Sequence, residues 1–125
     1  MSTAEEFSPL ELISEGKNKT HVKCNHCGSV ILKSGTADYV EKEFELPEPY
    51  RNHTREGVAE FVCEKFKDFW EVLDMYTFEN ICFSKTVDNV KYLICADCEI
   101  GPVGYQDLQL KRCYIALQRV KHEDT

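Results

Sequence analysis

Two short motifs constrain this chain more than anything else in it: Cys24-Asn25-His26-Cys27 and Cys95-Ala96-Asp97-Cys98, each a C-x-x-C pair. Thiols spaced this way on a tight turn can aim both sulfurs at one ion. Two such pairs supply the four soft ligands of a closed, tetrahedral structural zinc site. Between Cys27 and Cys95 lie 67 residues. Closing a flexible loop of that length costs about 3.7 kcal/mol plus a constant, whereas structural zinc sites bind with an apparent free energy of roughly 10–16 kcal/mol. The metal term is the larger, so the fold is expected to gather Cys24, Cys27, Cys95 and Cys98 around one Zn2+. The competing reading is two unrelated redox or buried C-x-x-C motifs. Gly28 suits the backbone twist of a knuckle, and Gly101, three residues after the second pair, is a looser match. His26 could replace a sulfur, but four thiolates leave it an exposed turn position.

The chain has seven cysteines. The odd number argues against a disulfide framework, as does an N-terminus, MSTAEEFSPLEL, with acids where a secretory signal has basic and apolar residues. Cys63, Cys82 and Cys113 are then expected to be packing residues. His21, His53 and His122 have no partner at ligand spacing. Asn18 and Asn52 match the glycosylation pattern, which a cytoplasmic chain leaves unmodified. The formal net charge of −7 argues against nucleic-acid binding, which needs a basic face. No apolar run is long enough for direct membrane insertion. At 125 residues and 42% hydrophobic, the chain can build one core. One domain over 1–125 is expected, a monomer when free, with a mobile lead-in at 1–15 and an insertion at 47–69.

Alternation over His21–Cys24 and Ser29–Leu32, a turn at Ser34-Gly35, and the spacing of Tyr39, Phe44 and Leu46 within Thr36–Leu46 predict strands. Pro47 and Pro49 end the last of these. Val58, Phe61, Val62, Phe66 and Phe69 recur at steps of three and four, so a helix is predicted over Thr54–Phe69. From Trp70 the period returns to two, through Val72, Asp74, Tyr76 and Phe78. Asp88-Asn89 reads as a turn between strands at Ile81–Phe83 and Lys91–Ile94, and Arg112–Val120 as a last, mostly buried strand. The expectation is a mainly β domain with one helical or irregular insertion.

Two segments go beyond generic zinc chemistry: Asp74-Met75-Tyr76-Thr77-Phe78-Glu79-Asn80, and Cys95 through Gly104 (CADCEIGPVG). With Glu15–Asn18, Cys24–Ser29 and Tyr114–Val120, they closely resemble the Rab-interacting factor family, small zinc proteins described as guanine-nucleotide-releasing factors or chaperones for exocytic Rab GTPases. The resemblance runs from about Glu15 to Glu123 and is weakest over Glu41–Phe69. It implies a zinc-clamped β-tent. It also implies Rab-facing positions at Met75, Tyr76, Phe78, Glu79, Asn80, Asp97, Ile100 and Pro102. Tyr76 stands where the family often has Phe; it keeps the ring and adds a hydroxyl.

A releasing factor breaks no bond. It must bind the nucleotide-free GTPase better than the loaded one, and that difference drives release. Apolar anchors such as Met75, Tyr76 and Phe78 suit a hydrophobic switch surface, and Asp97 and Glu79 suit its basic side chains. From pattern alone the same aromatics read as core: Tyr76 and Phe78 share one strand side and Met75 the other. The segment Glu41–Glu79 carries eleven acids against five bases, which fits such a partner but equally a solvated face. Two rivals stand beside this. Methionine sulfoxide reductases of the B type are also small β proteins with two C-x-x-C zinc pairs, and Cys113 beside Arg112 would be their nucleophile. Tyr114, however, follows where that family's motif has an apolar residue and then Asn. The other rival is a zinc-stabilised interaction module without exchange activity.

Overall fold

A computed structural model describes residues 9–47, 50–51, 63–87 and 89–123. Thirteen strands run through them: β1 (Ile13–Ser14), β2 (Lys17–Asn18), β3 (His21–Cys24), β4 (Val30–Leu32), β5 (Asp38–Pro47), β6 (Tyr50–Arg51), β7 (Cys63–Val72), β8 (Cys82–Val87), β9 (Val90–Ile94), β10 (Ile100–Gly101), β11 (Gly104–Asp107), β12 (Arg112–Ala116) and β13 (Val120–Glu123). Eight form one sheet in the order β1-β2-β5-β7-β12-β11-β9-β8; β13-β3-β4 form a second, and β10 pairs with β6. The mainly β architecture expected from alternation is the one observed. No helix among the described residues is long and apolar enough to cross a membrane.

Strand alternation gives the large sheet two faces, and both carry buried side chains. On one, Trp70, Val72, Leu93, Cys113 and Ile115 meet Val22, Cys24, Ile31, Leu32 and Val120 of the three-stranded sheet. On the other, Phe66, Phe69, Tyr105, Tyr114 and Ala116 gather with Leu46. Burial on both faces explains why β12 reads as an unbroken apolar run. A hydrogen bond from Trp70 Nε1 to His122 Nε2, 3.0 Å long, links the sheets through the first core. Gly104 lets β11 pass close to β12, since a Cβ there would lie 1.9 Å from the Tyr114 carbonyl oxygen.

Several expectations are corrected. The helix over Thr54–Phe69 is not formed in its described part: Cys63–Phe69 belongs to β7, and residues 54–62 lie outside the described residues. The reason is a β-bulge. Between the pairs Glu41–Asp68 and Phe44–Phe66, β5 spends two residues against one of β7. Phe66 and Phe69, three apart, therefore both join the second core and imitate a helical stripe. The period-two run from Trp70 to Phe78 also stops early. The strand ends at Val72, and Met75–Thr77 is a 3₁₀ turn. Asp74 causes it: its side chain accepts the Tyr76 amide at 2.9 Å and its carbonyl the Thr77 amide at 2.9 Å. The last strand is likewise broken, by a 3₁₀ turn at Leu117–Arg119, where the chain leaves the large sheet for the small one. Arg119 is buried there and donates to the Pro102 carbonyl at 2.6 Å. Of the expected lead-in, Pro9–Leu12 form a 3₁₀ turn and Ile13–Ser14 a strand, with Leu12 and Ile13 against the first core. β8 and β9 pair antiparallel through Val87 and Val90, as strands on either side of the expected turn should, while Asp88 lies outside the described residues.

Candidate functional site

Each C-x-x-C pair begins where a strand ends. Cys24 closes β3 and Cys95 follows β9, so the first pair hangs from the small sheet and the second from the large one. Both first cysteines are buried; Cys27 is exposed and Cys98 half-buried. The turns close identically, with the Gly28 amide donating to the Cys24 carbonyl at 3.0 Å and the Glu99 amide to the Cys95 carbonyl at 2.8 Å. Both closing residues are left-handed, Gly28 at φ 81° and Glu99 at φ 60°. The knuckle position expected near Gly101 is therefore taken by Glu99, a non-glycine in a conformation that costs about 1–2 kcal/mol.

The four sulfurs lie within 4.8 Å of one another, with Cys24–Cys98 at 3.6 Å and Cys27–Cys95 at 3.5 Å. Ideal tetrahedral thiolate ligation of zinc puts sulfurs about 3.8 Å apart, so this donor set can hold a metal ion. Burial raises the Cys27 thiol, but hydrogen bonding with Ser29, Cys95 and Cys24 outweighs it and brings the pKa down to about 7. Burial pushes Cys95 up, against the pull of the Cys98 and Asp97 amides and the Asn80 side chain. A bound cation would remove that conflict by holding every sulfur as thiolate.

Around the sulfurs the sequence-predicted residues separate into groups. Asn80 is half-buried and joined to the second knuckle: its Nδ2 donates to Cys95 Sγ at 3.2 Å and its Oδ1 accepts the Ala96 amide at 3.1 Å. Glu79 is exposed, but its amide is fixed to the Ile31 carbonyl at 2.8 Å. Asp97 is exposed and accepts the Ser29 hydroxyl, a hydrogen bond between the two knuckles. Phe78 packs on the first core, whereas Tyr76, on the 3₁₀ turn with Met75, is 94% exposed. Ile100 pairs with Arg51 in the β10–β6 ribbon. Pro102 is buried, with its carbonyl bound to Arg119.

Ser29 and Glu99 belong to the site and were not singled out. The signal for Ser29 was its place two residues after Cys27, where a short hydroxyl can reach back to the turn. Glu99 carried no signal, because its residue type opposes its conformation. Cys113 is buried, and burial first, then Asp74, pushes its thiol up to about 11. Its sequence neighbour Arg112 pairs instead with Glu71 at 3.2 Å. A thiol so placed is not a nucleophile at neutral pH. His21 accepts the Ser34 amide at 3.0 Å and His122 the Trp70 indole, so neither approaches the sulfurs as a ligand.

Comparison with known proteins places this geometry. The guanine nucleotide exchange factor MSS4 homolog of Drosophila melanogaster is 48% identical over 121 residues, covering 97% of this chain and 98% of that protein. The Schizosaccharomyces pombe protein of the same name is 33% identical over 87 residues, 69% of this chain and 80% of its own length. The Mss4 protein family matches residues 17–122, from β2 through both knuckles to β13. The chain is a member of the Mss4 family.

Proposed function

We propose that the chain binds Rab-type small GTPases in their nucleotide-free form, promotes release of GDP and entry of GTP, and shelters the empty GTPase as a chaperone. The observation that carries this reading is likeness over almost the full length of both chains to a protein named as a guanine nucleotide exchange factor. We propose Zn2+ as the ion of Cys24, Cys27, Cys95 and Cys98, one per chain. When bound it supplies a rigid, closed four-thiolate clamp and no reactive position. The protein acts as a cytosolic monomer, brought to membranes by the Rab it holds, in vesicle-mediated transport.

A GTPase grips its nucleotide through backbone amides, a lysine and Mg2+ around the phosphates. Displacing that grip needs only a surface that prefers the empty form, and the coupling is reciprocal: the factor removed from nucleotide affinity is the factor nucleotide removes from this protein's affinity. Tyr76 offers an exposed ring on a turn anchored by Phe78. Glu79 and Asp97, both exposed, neighbour the two residues of the Asn80–Ala96 bond and offer carboxylates to basic groups on the partner. Met75, Ile100 and Pro102 complete the proposed contact region, and Asn80 is set apart from it by its bonds to Cys95 and Ala96.

The test is release of a fluorescent GDP analogue from a panel of Rab proteins. Wild type should accelerate release and form a complex that added GDP or GTP dissociates. Asp97→Ala should weaken that complex by about 2–5 kcal/mol if the carboxylate meets a buried cation, while loss of its exposed bond to Ser29 lowers stability by no more than about 0.5–1.5 kcal/mol. If Asp97→Ala and Glu79→Ala both release nucleotide as fast as wild type, the contact surface lies elsewhere.

A further inference from the structure

Asn80 does something a surface contact would not. Its side-chain amide bonds twice within the chain, giving one hydrogen to a metal-site sulfur and accepting one from the backbone amide next to that sulfur, at 3.2 and 3.1 Å. One residue earlier, the Glu79 amide is bonded to the Ile31 carbonyl on β4, the strand that leaves the first knuckle. Residues 78–80 are thus stitched to both halves of the clamp, while Tyr76, four residues before Asn80, stands clear in solvent. A donor to a ligating sulfur draws charge from it and fixes its lone pairs. Losing such a partner commonly weakens metal affinity by about 10–100-fold.

We propose that Asn80 is a positioning residue that couples metal occupancy to the placement of the Met75–Glu79 surface, so that the ion and the GTPase partner each raise the other's affinity. This rests on the functional reading above for its partner half only; the metal half stands on the geometry of Asn80 and Cys95. With the ion in place, Cys95 is a thiolate and a strong acceptor for Asn80 Nδ2. Without it the four sulfurs share no centre, the second knuckle is no longer fixed against the first, and the strap of residues 75–80 that Asn80 and Glu79 tie to both loses its fixed placement. Linkage then requires that partner binding strengthen metal retention by the same factor.

The decisive variants are Asn80→Asp, which keeps the acceptor for the Ala96 amide but replaces the donor to sulfur with a carboxylate, and Asn80→Ala, which removes both. Full-length protein is titrated with Zn2+ against a chromophoric chelator and, separately, loaded with Co2+ to read the sulfur-to-cobalt charge-transfer band. GDP-analogue release is then measured at limiting and at excess Zn2+. The expected result is at least a tenfold loss of Zn2+ affinity in Asn80→Asp, a smaller loss in Asn80→Ala, and a shifted charge-transfer band in both. Release should be slow at limiting Zn2+ and largely restored at excess. Zn2+ affinity and Co2+ spectrum matching wild type would overturn the assignment. So would weakened metal binding with release that excess Zn2+ does not restore, since Asn80 would then be a direct partner contact. If wild type releases nucleotide from no Rab, the functional reading fails, and the two metal measurements still decide the role of Asn80.

Discussion

The two knuckles share a backbone and differ in nearly everything attached to it. The first follows the expected chemistry: glycine at the left-handed position, an exposed Cys27, and a hairpin between β3 and β4 of the small sheet. The second puts Glu99 at the same left-handed position, keeps Cys98 half-buried, and draws two hydrogen bonds from Asn80. The strained, better-tied knuckle is also the one beside the exposed Glu79 and Asp97. A strained backbone persists only where its surroundings hold it. Here the holding groups are the sulfur cluster and the strap that carries the proposed contact surface. The first knuckle would form from its sequence. The second is made to form by what surrounds it.

The largest expected effect tests whether metal holds both knuckles at all. Since they hang from different sheets, the ion would join the sheets at one end, with binding worth roughly 10–16 kcal/mol against a whole-domain stability of about 5–15 kcal/mol. Cys95→Ser, or exhaustive chelation, should leave a largely unfolded or aggregating chain, read by circular dichroism and elemental analysis. A native melting curve from metal-free protein would show that the sheets hold each other without a clamp.

Next is the anchor of the strap. Phe78 packs against the first core but is not fully buried, so Phe78→Ala should cost about 2–4 kcal/mol, near the lower end for a buried ring. Tyr76→Ala, two residues away and almost wholly in solvent, should change stability by less than about 0.5 kcal/mol while slowing GDP-analogue release. Paired urea titrations and release assays separate the two. Equal destabilisation would mean that the turn, not the ring beneath it, holds the strap.

What the sequence made legible follows the same division. The knuckles were readable because a ligand pair is local: Cys24 and Cys27 need only each other's spacing. The turn at Ser34-Gly35 was readable for the same reason. β7 was misread because its pattern is not its own. The bulge that brings Phe66 and Phe69 to one core lies across the ladder in β5, at Lys42 and Glu43. Alternation through Phe78 failed because one side chain, Asp74, captured the backbone after Val72. Arg112–Val120 looked continuous because a chain crossing between two cores stays apolar while changing direction. Asn80 was legible as a residue of interest, but its tie to Cys95 depends on a contact 15 positions away.

The sheets are also joined away from the metal, and that joint responds to pH. His122 Nε2 accepts the Trp70 indole proton and so must be unprotonated, and burial lowers its pKa from 6.5 to about 4. The unfolded chain binds this proton more readily, so His122's contribution is whole above pH 6.5 and is lost as pH falls toward 4, by about 2–3 kcal/mol. Acid also protonates the metal-site thiolates, so the measurement is a difference: stability against pH for wild type and His122→Gln, both Zn2+-loaded. The variant should be less stable near neutrality and show a shallower slope between pH 6.5 and 5. Parallel curves would mean that the Trp70–His122 bond adds nothing to the joint.

The smallest effect bears most directly on the comparison, because it alters the closing residue of each knuckle in turn. A Cβ at Gly28 would meet nothing within 4 Å, so Gly28→Ala costs only the left-handed backbone, about 1 kcal/mol after the entropy gained by restricting the unfolded chain. Glu99→Gly runs the other way. It relieves a non-glycine at φ 60°, but glycine adds about 0.5–1 kcal/mol of unfolded-state entropy, and the two nearly cancel. The net change should lie between zero and about 1 kcal/mol of stabilisation. The variant also removes a carboxylate that, after burial, helps push the Cys82 thiol up, so Cys82 should react faster with a thiol reagent. The experiment is a pair of melting curves with Zn2+ in excess. If the second knuckle is held by its surroundings, Glu99→Gly keeps wild-type metal affinity and nucleotide release. A fall in both would mean that the Glu99 side chain itself builds the knuckle, and that the strain is compensated locally rather than by the sulfur cluster and Asn80.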